Sequence, residues 1–501
     1  MTERGAGLLC HVTSLPGPFG GDIGPEADRF LEWAARSGAT LWQFLPVVPA
    51  GPGLSPYGGL SAFAGDPRLV SPERLVEEGI LPREAFDAAA ASGASSDPDA
   101  GRAARAELLR IAWQRVSSEP GLARVLEEFE AFRSSGEAVS WLSDWALFAA
   151  LSERFHDAGW IHWPAELARR EPAAIETARR ELAPEIAFHG FVQFAFFRQW
   201  RAMRSRAREL GVGLVGDLPI YVSHHSADVW AHRELFDLEP DGRPRVVAGV
   251  PPDYFSETGQ LWGYPLYRWD RSRAEGDRWW IARFRAALEL ADLVRVDHFR
   301  AFASYWEVPA SAPTAVGGRW VEGPGAPFFA GVSQALGGLP LIAEDLGTIT
   351  EDVRDLLRTI GIPGMRVLQF AFSEDDSPHA PHRHVENAVA YTGTHDNDTG
   401  RGWFAALSAE DRRRALDYLG GDGRDIEWDL IRAALESVAA RAIVPLQDVF
   451  GLGSEARMNT PGQGAGNWRW KARREDFTPE RADRFRKLVE LTGRRRSSGS
   501  P

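Results

Sequence analysis

Four carboxylic acids stand at the ends of short apolar runs in this 501-residue chain. Asp217 closes GVGLVGD, Asp297 closes LVRVD, Glu344 follows PLIA, and Asp396 ends AVAYTGTHD. A run of Val, Ile, Leu and Ala too short for a helix predicts a strand buried on both faces, as in a parallel sheet. A carboxyl at such a strand tip is held rigidly and half out of water, where its pKa is open to tuning. Two facing carboxyl groups suit cleavage of a glycosidic bond, one as nucleophile or base and the other protonating the leaving oxygen. Asp297 has Arg295 two residues before it, on the same face of the strand. A guanidinium there favours the ionised carboxylate that a nucleophile must be. Glu344 follows an apolar run, a desolvated setting that keeps a carboxylic acid protonated. His395 and Asn397 flank Asp396 and offer it hydrogen bonds.

Taken singly, a strand-terminal acid is more often a helix cap or an ion-pair partner, and Asp345 and Asp270 are read that way. Four acid-bearing ends in one chain, one with Arg two residues earlier and two with His adjacent, argue against coincidence. Other motifs carry less. The glycines of GAGL, GVGL and GGLP belong to turns, and without a GxGxxG after a strand or a Walker sequence nucleotide binding is not expected. His379, His382 and His384 match neither helical ligation nor a zinc motif and read as a loop lining the cleft, so no metal site is expected. His224 and His225 either touch substrate or structure their loop; the sequence leaves both open.

The elements that must position these acids are strands alternating with helices. GLLCHVTSLP (7–16), TLWQFLPVVP (40–49), MRVLQFAF (365–372) and AIVPLQDVFG (442–451) join the four acid-tipped runs to give eight strands. Helical patterns cover 26–38, 191–211, 278–291, 350–361 and 425–441. Eightfold alternation predicts a (β/α)₈ barrel, with an open doubly wound sheet as the alternative. The expected organisation is one catalytic barrel over 1–501. Inserted subdomains follow strands 2, 3 and 4: a helical one at 50–190, a loop-like one at 223–277 with a lid at 249–263, and a small loop-like one at 301–338. Insertions after barrel strands shape the cleft at the catalytic rim. The tail RRRSSGSP (494–501) reads as solvated.

Composition narrows the partners. The net charge of −13 argues against nucleic acid or an anionic membrane surface. Cys10 is the only cysteine, so an intrachain disulfide and a thiolate zinc site are both excluded. Within GLLCHV it reads as a buried structural thiol. No stretch approaches the length of a membrane span and the N-terminus lacks a signal-type apolar core, so a soluble, cytoplasmic protein is expected.

Longer segments are more specific. SLPGPFG (14–20), SPYGGLSAFAGDP (55–67), GDLPIYVSHHSADVW (216–230), GVPPDYFSETGQLWG (249–263), RVDHFR (295–300), AEDLG (343–347), PHRHVENAVAYTGTHDNDTGRGW (381–403) and RMNTPGQGAGNWRW (457–470) together span nearly the whole chain. With them the chain resembles the 4-α-glucanotransferases of the amylomaltase, or disproportionating enzyme, family, which are relatives of the α-amylases. The resemblance implies Asp297 as nucleophile, Glu344 as general acid/base and Asp396 as transition-state stabiliser. It also implies that Arg295, His298 and His395 hold the transferred sugar, with Asp217, Tyr57 and Ser55 nearby. Gln260 and Trp262 would belong to a loop arching over the cleft, where water is excluded and an acceptor sugar positioned. The implied partners are donor and acceptor α-1,4-glucans, with no cofactor, the chain acting as a monomer or weak homodimer. Two rival readings stay open, a maltodextrin hydrolase of the same clan and a catalytically silent glucan-binding protein. Two positions depart from the family pattern. Tyr264 follows LWG where Asn or Ser is common, and Lys471 follows NWRW where Arg is expected.

Overall fold

The computed structural model describes residues 4–92, 98–252, 256–374 and 376–495. The strands among them are β1 (Gly5–Leu9), β2 (Leu41–Gln43), β3 (Gly213–Leu218), β4 (Val246–Val250), β5 (Gln260–Pro265), β6 (Leu293–Val296), β7 (Ser304–Pro309), β8 (Arg319–Glu322), β9 (Leu341–Ala343), β10 (Gly364–Val367), β11 (Ala388–Tyr391) and β12 (Arg441–Pro445). Eight of these, β1, β2, β3, β6, β9, β10, β11 and β12, close into a barrel of parallel neighbours in chain order. Closure comes from β1 pairing with β12, Gly5 opposite Arg441. The (β/α)₈ expectation therefore holds and the open-sheet alternative does not.

Alternation along each strand builds the barrel. Leu9, Val215, Ile342, Met365, Val389 and Ile443 pack with one another as one buried cluster. Their strand neighbours Leu8, Leu214, Leu341, Ala388 and Val444 join the larger cluster that includes the surrounding helices. Each Leu, Val, Ile or Met among them contributes roughly 1.5–3 kcal/mol by leaving water. Cys10 is buried in the same outer layer, as its sequence context suggested. No helix among the described residues is long and apolar enough to cross a membrane.

The segment between β2 and β3 is helical and ends in a long helix, Ala183–Glu209, which packs back onto the barrel. Gln193 and Gln199 on that helix are buried, and each amide bonds one backbone residue in both directions. Gln193 accepts from Gly65 N and donates to Gly65 O, and Gln199 does the same with Ser71. These clamps fix the loop that leads back to Tyr57.

The loop-like reading of 223–277 and 301–338 requires correction. Each segment supplies two strands, and β4 pairs antiparallel with β7, Val246 opposite Pro309, so both insertions share one sheet in the order β5-β4-β7-β8. The pairing joins residues far apart in sequence, and no local alternation in these aromatic, Gly- and Pro-rich stretches announces it. Residues 253–255, inside the expected lid, lie outside the described residues. The tail reading is also corrected at its first residue, while 496–501 lie outside the described residues. Arg494 is fully buried and donates to the carbonyls of Gly5, Leu435, Ser437, Ala439 and Ala440.

Candidate active site

The barrel brings Asp217, Asp297 and Glu344 to the C-terminal ends of β3, β6 and β9, with Asp396 a few residues beyond β11. In parallel barrels this is the rim where catalysis resides. Register puts Asp217 directly beside Arg295 on the neighbouring strand. Arg295 Nη1 lies 2.8 Å from both carboxylate oxygens of Asp217, and its Nη2 lies 3.0 Å from Asp297 Oδ1. Tyr57 donates its hydroxyl to Asp217 Oδ2 at 2.7 Å. The side chains of Asp217 and Arg295 are buried. Burial works against the guanidinium's charge, but the Asp217 and Asp297 carboxylates outweigh it and hold Arg295 ionised. Asp297 thus sits at the open end of a rigid Tyr57–Asp217–Arg295 chain.

Glu344 is fixed from the strand beside it. His298 follows Asp297 in the left-handed region, at φ 48° and ψ 46°, a conformation costly for a non-glycine residue. That turn aims its backbone N–H at Glu344 Oε2, 2.7 Å away, while Leu346 N donates to Oε1 at 2.9 Å. The Glu344 carboxyl is therefore tied to the residue next to Asp297. Burial pushes Glu344 up to about 8, with Arg295 and the two N–H donors opposing and the Asp297 charge adding. Burial likewise lifts Asp297 to about 6, against the pull of Arg295 and with Asp217 and Asp396 adding. Arg295 does pull Asp297 down, as its spacing suggested, but the net pKa is not lowered, because desolvation outweighs a guanidinium that is also shared with Asp217. The order survives, since Asp297 ionises before Glu344.

Asp396 Oδ1 accepts from Asn459 Nδ2 at 2.6 Å and lies 3.4 Å from His395 Nε2, while Arg457 holds the Asp396 carbonyl at 2.6 Å. The Tyr57 ring stacks on His395, centroids 5.1 Å apart at 15°, and Trp468 stands 5.8 Å from Tyr57. Burial lowers His395 and keeps the imidazole neutral. Arg457, Asn459 and Trp468 belong to RMNTPGQGAGNWRW, a segment that carries the family resemblance but no site role legible from its residues. Nothing in that polar, glycine-rich stretch shows which residue it faces.

Trp262 meets the His298 ring edge-on at 4.7 Å and 82°, with Tyr221 6.2 Å behind it. Burial lowers His298 to about 3, with the Arg300 charge adding. Gln260 and Ser55 bond to residues of the site. Gln260 is exposed and accepts the Trp262 indole N–H at 3.1 Å, and Ser55 accepts from Tyr57 N at 3.3 Å, shaping the turn. His224 bonds Gly242 O and His225 accepts from Trp160 N, so both brace their loop. His379, His384 and His382 bond Val367 N, His379 O and the Tyr418 hydroxyl, so they brace their own loop. Among the described residues no group of three His, Cys, Asp or Glu is placed to hold a metal ion. Asp345 accepts from Met365 N and Arg366, and Asp270 pairs with Arg268, the structural roles expected of them.

The profile of the 4-alpha-glucanotransferase family matches residues 10–476. The chain belongs to the 4-alpha-glucanotransferase family. The family's member from Thermus thermophilus is 45% identical over 509 aligned residues, covering 98% of this chain and 99% of its own. A 4-alpha-glucanotransferase from Synechocystis is likewise 45% identical, covering 99% of both chains. Among solved structures, amylomaltase from Streptococcus agalactiae in complex with acarbose superposes with a TM-score of 0.93 at 34% identity, covering 98% of this chain and 100% of that one. As a 4-alpha-glucanotransferase family member the chain is an enzyme, so the silent binding-protein reading falls away.

Proposed function

We propose that the enzyme transfers α-1,4-glucan segments from a donor maltodextrin to the 4-hydroxyl of an acceptor glucan or glucose by double displacement with retention. The observation that carries this reading is the His298 N–H bond to Glu344, which sets a higher-pKa acid beside a lower-pKa carboxylate. Asp297 attacks the anomeric carbon as Glu344 gives its proton to the glycosidic oxygen, and the C1–O bond breaks to leave a β-linked glycosyl ester on Asp297. The acceptor 4-hydroxyl then passes its proton to the Glu344 carboxylate as its oxygen attacks C1 and releases Asp297. Asp396, held by Asn459, receives sugar hydroxyls that draw closer as positive charge develops. The Tyr57–His395 stack gives a sugar ring a flat face. Arg295, His298 and Asp217 order the pocket around it, and Trp262 covers the bond being exchanged.

Separation of the products from maltotriose tests the proposal. Disproportionation yields glucose together with chains longer than the substrate. Glucose and maltose with nothing longer would establish the hydrolase reading in its place.

A further inference from the structure

We propose that the hydroxyls of Tyr264 and Ser223, both beside Gly58, hold the acceptor sugar during the second displacement; the proposal rests on the transfer reading above. Tyr264 lies two residues after Trp262 on β5; Gly263 between them, at φ 77°, breaks the plain alternation of the strand, and both rings pack part-buried against the core. Trp262 touches His298, whose N–H fixes Glu344, and Glu344 stands where the leaving oxygen departs and the acceptor oxygen arrives. Tyr264 reaches across to the turn that carries Tyr57. A Cβ placed on Gly58 would lie 3.8 Å from the Tyr264 hydroxyl and 3.9 Å from Ser223 Oγ. The two hydroxyls thus converge on a space that a side chain at position 58 would fill.

Both residues are half-buried, and neither hydroxyl has a hydrogen-bond partner among the described residues. Neither is sealed from solvent, so an incoming hydroxyl can reach them. The charge of Asp297 adds to burial in keeping the Tyr264 phenol protonated, hence a donor. A sugar hydroxyl, both donor and acceptor, suits a phenol O–H on one side and a serine on the other.

Tyr264→Phe and Ser223→Ala test the proposal in the full-length chain. Glucose is the acceptor, and single-turnover fluoride release from α-maltosyl fluoride reports the first displacement, which needs no acceptor. Each substitution is expected to raise the KM for glucose about fivefold, the weight of one neutral hydrogen bond, and to leave fluoride release within about twofold of the parent. Unchanged KM for glucose in both variants would overturn the proposal, as would fluoride release slowed as much as transfer. Absence of any maltosyl transfer to glucose by the parent enzyme would instead sink the transfer reading itself.

Discussion

Replacing Glu344 with Gln separates the two proton requirements of the site. On the proposed mechanism the intact enzyme needs Asp297 ionised and Glu344 protonated. Activity therefore rises with pH as Asp297 loses its proton near 6 and falls as Glu344 loses its own near 8. Transfer should be greatest near pH 7, and one unit outside either limb, at about pH 5 and about pH 9, it should drop about tenfold. In Glu344→Gln the amide keeps one of the two backbone bonds from His298 and Leu346 and turns a donor toward the other, a loss of roughly 1 kcal/mol that the fold withstands. Transfer from maltotriose falls about 10²–10⁴-fold without the acid. A fluoride leaving group needs no such proton, so α-maltosyl fluoride still glycosylates Asp297. Its pH profile in the variant should keep the rise near 6 and lose the fall near 8. Stopped-flow fluoride release at pH 5–9 reads this out. An alkaline fall near 8 that persists in Glu344→Gln would refute the assignment of that limb to Glu344.

Two further substitutions probe the framework. Arg295→Met leaves Asp217 and Asp297 buried without their shared cation; it should cost about 3–5 kcal/mol of stability and move the acid limb above 6. Thermal unfolding and the pH profile check both effects, and an acid limb left in place would contradict the role given to Arg295. Arg494→Ala removes donors to five buried carbonyls and should cost about 3 kcal/mol or more. Its unfolding midpoint should drop while activity per folded molecule at 25 °C holds, and an unchanged midpoint would show that these bonds contribute nothing net.

The barrel is legible in the sequence because its strands are short, continuously apolar and bounded by acids or turn residues. Those are local signals, and each of the eight runs overlaps a barrel strand, although the strands end early and Leu446–Phe450 of the last run is helical. The antiparallel sheet is not legible, because β4 finds β7 across more than a whole βα unit and neither strand alternates cleanly. At the site, residue types and spacing expose Asp297, Glu344 and Arg295, since i and i+2 on a strand share a face. The link from Arg295 to Asp217 depends on register between strands and could only be implied by resemblance. Asn459 and Trp468 enter from a segment whose path back over the rim is set by tertiary packing. Even the pKa of Asp297 turned on what the sequence hides, the depth of burial and the second carboxylate competing for one guanidinium.

The most direct measurement is the site of the covalent intermediate. Glu344→Gln is mixed with α-maltosyl fluoride without acceptor, quenched in acid, digested with pepsin and analysed by mass spectrometry. One maltosyl unit should be found on the peptide containing Asp297, and should persist when glucose is added before the quench, because Glu344→Gln lacks the base that activates the acceptor. An adduct on Asp217 or Asp396, or single displacement with inverted product and no adduct, would contradict the account.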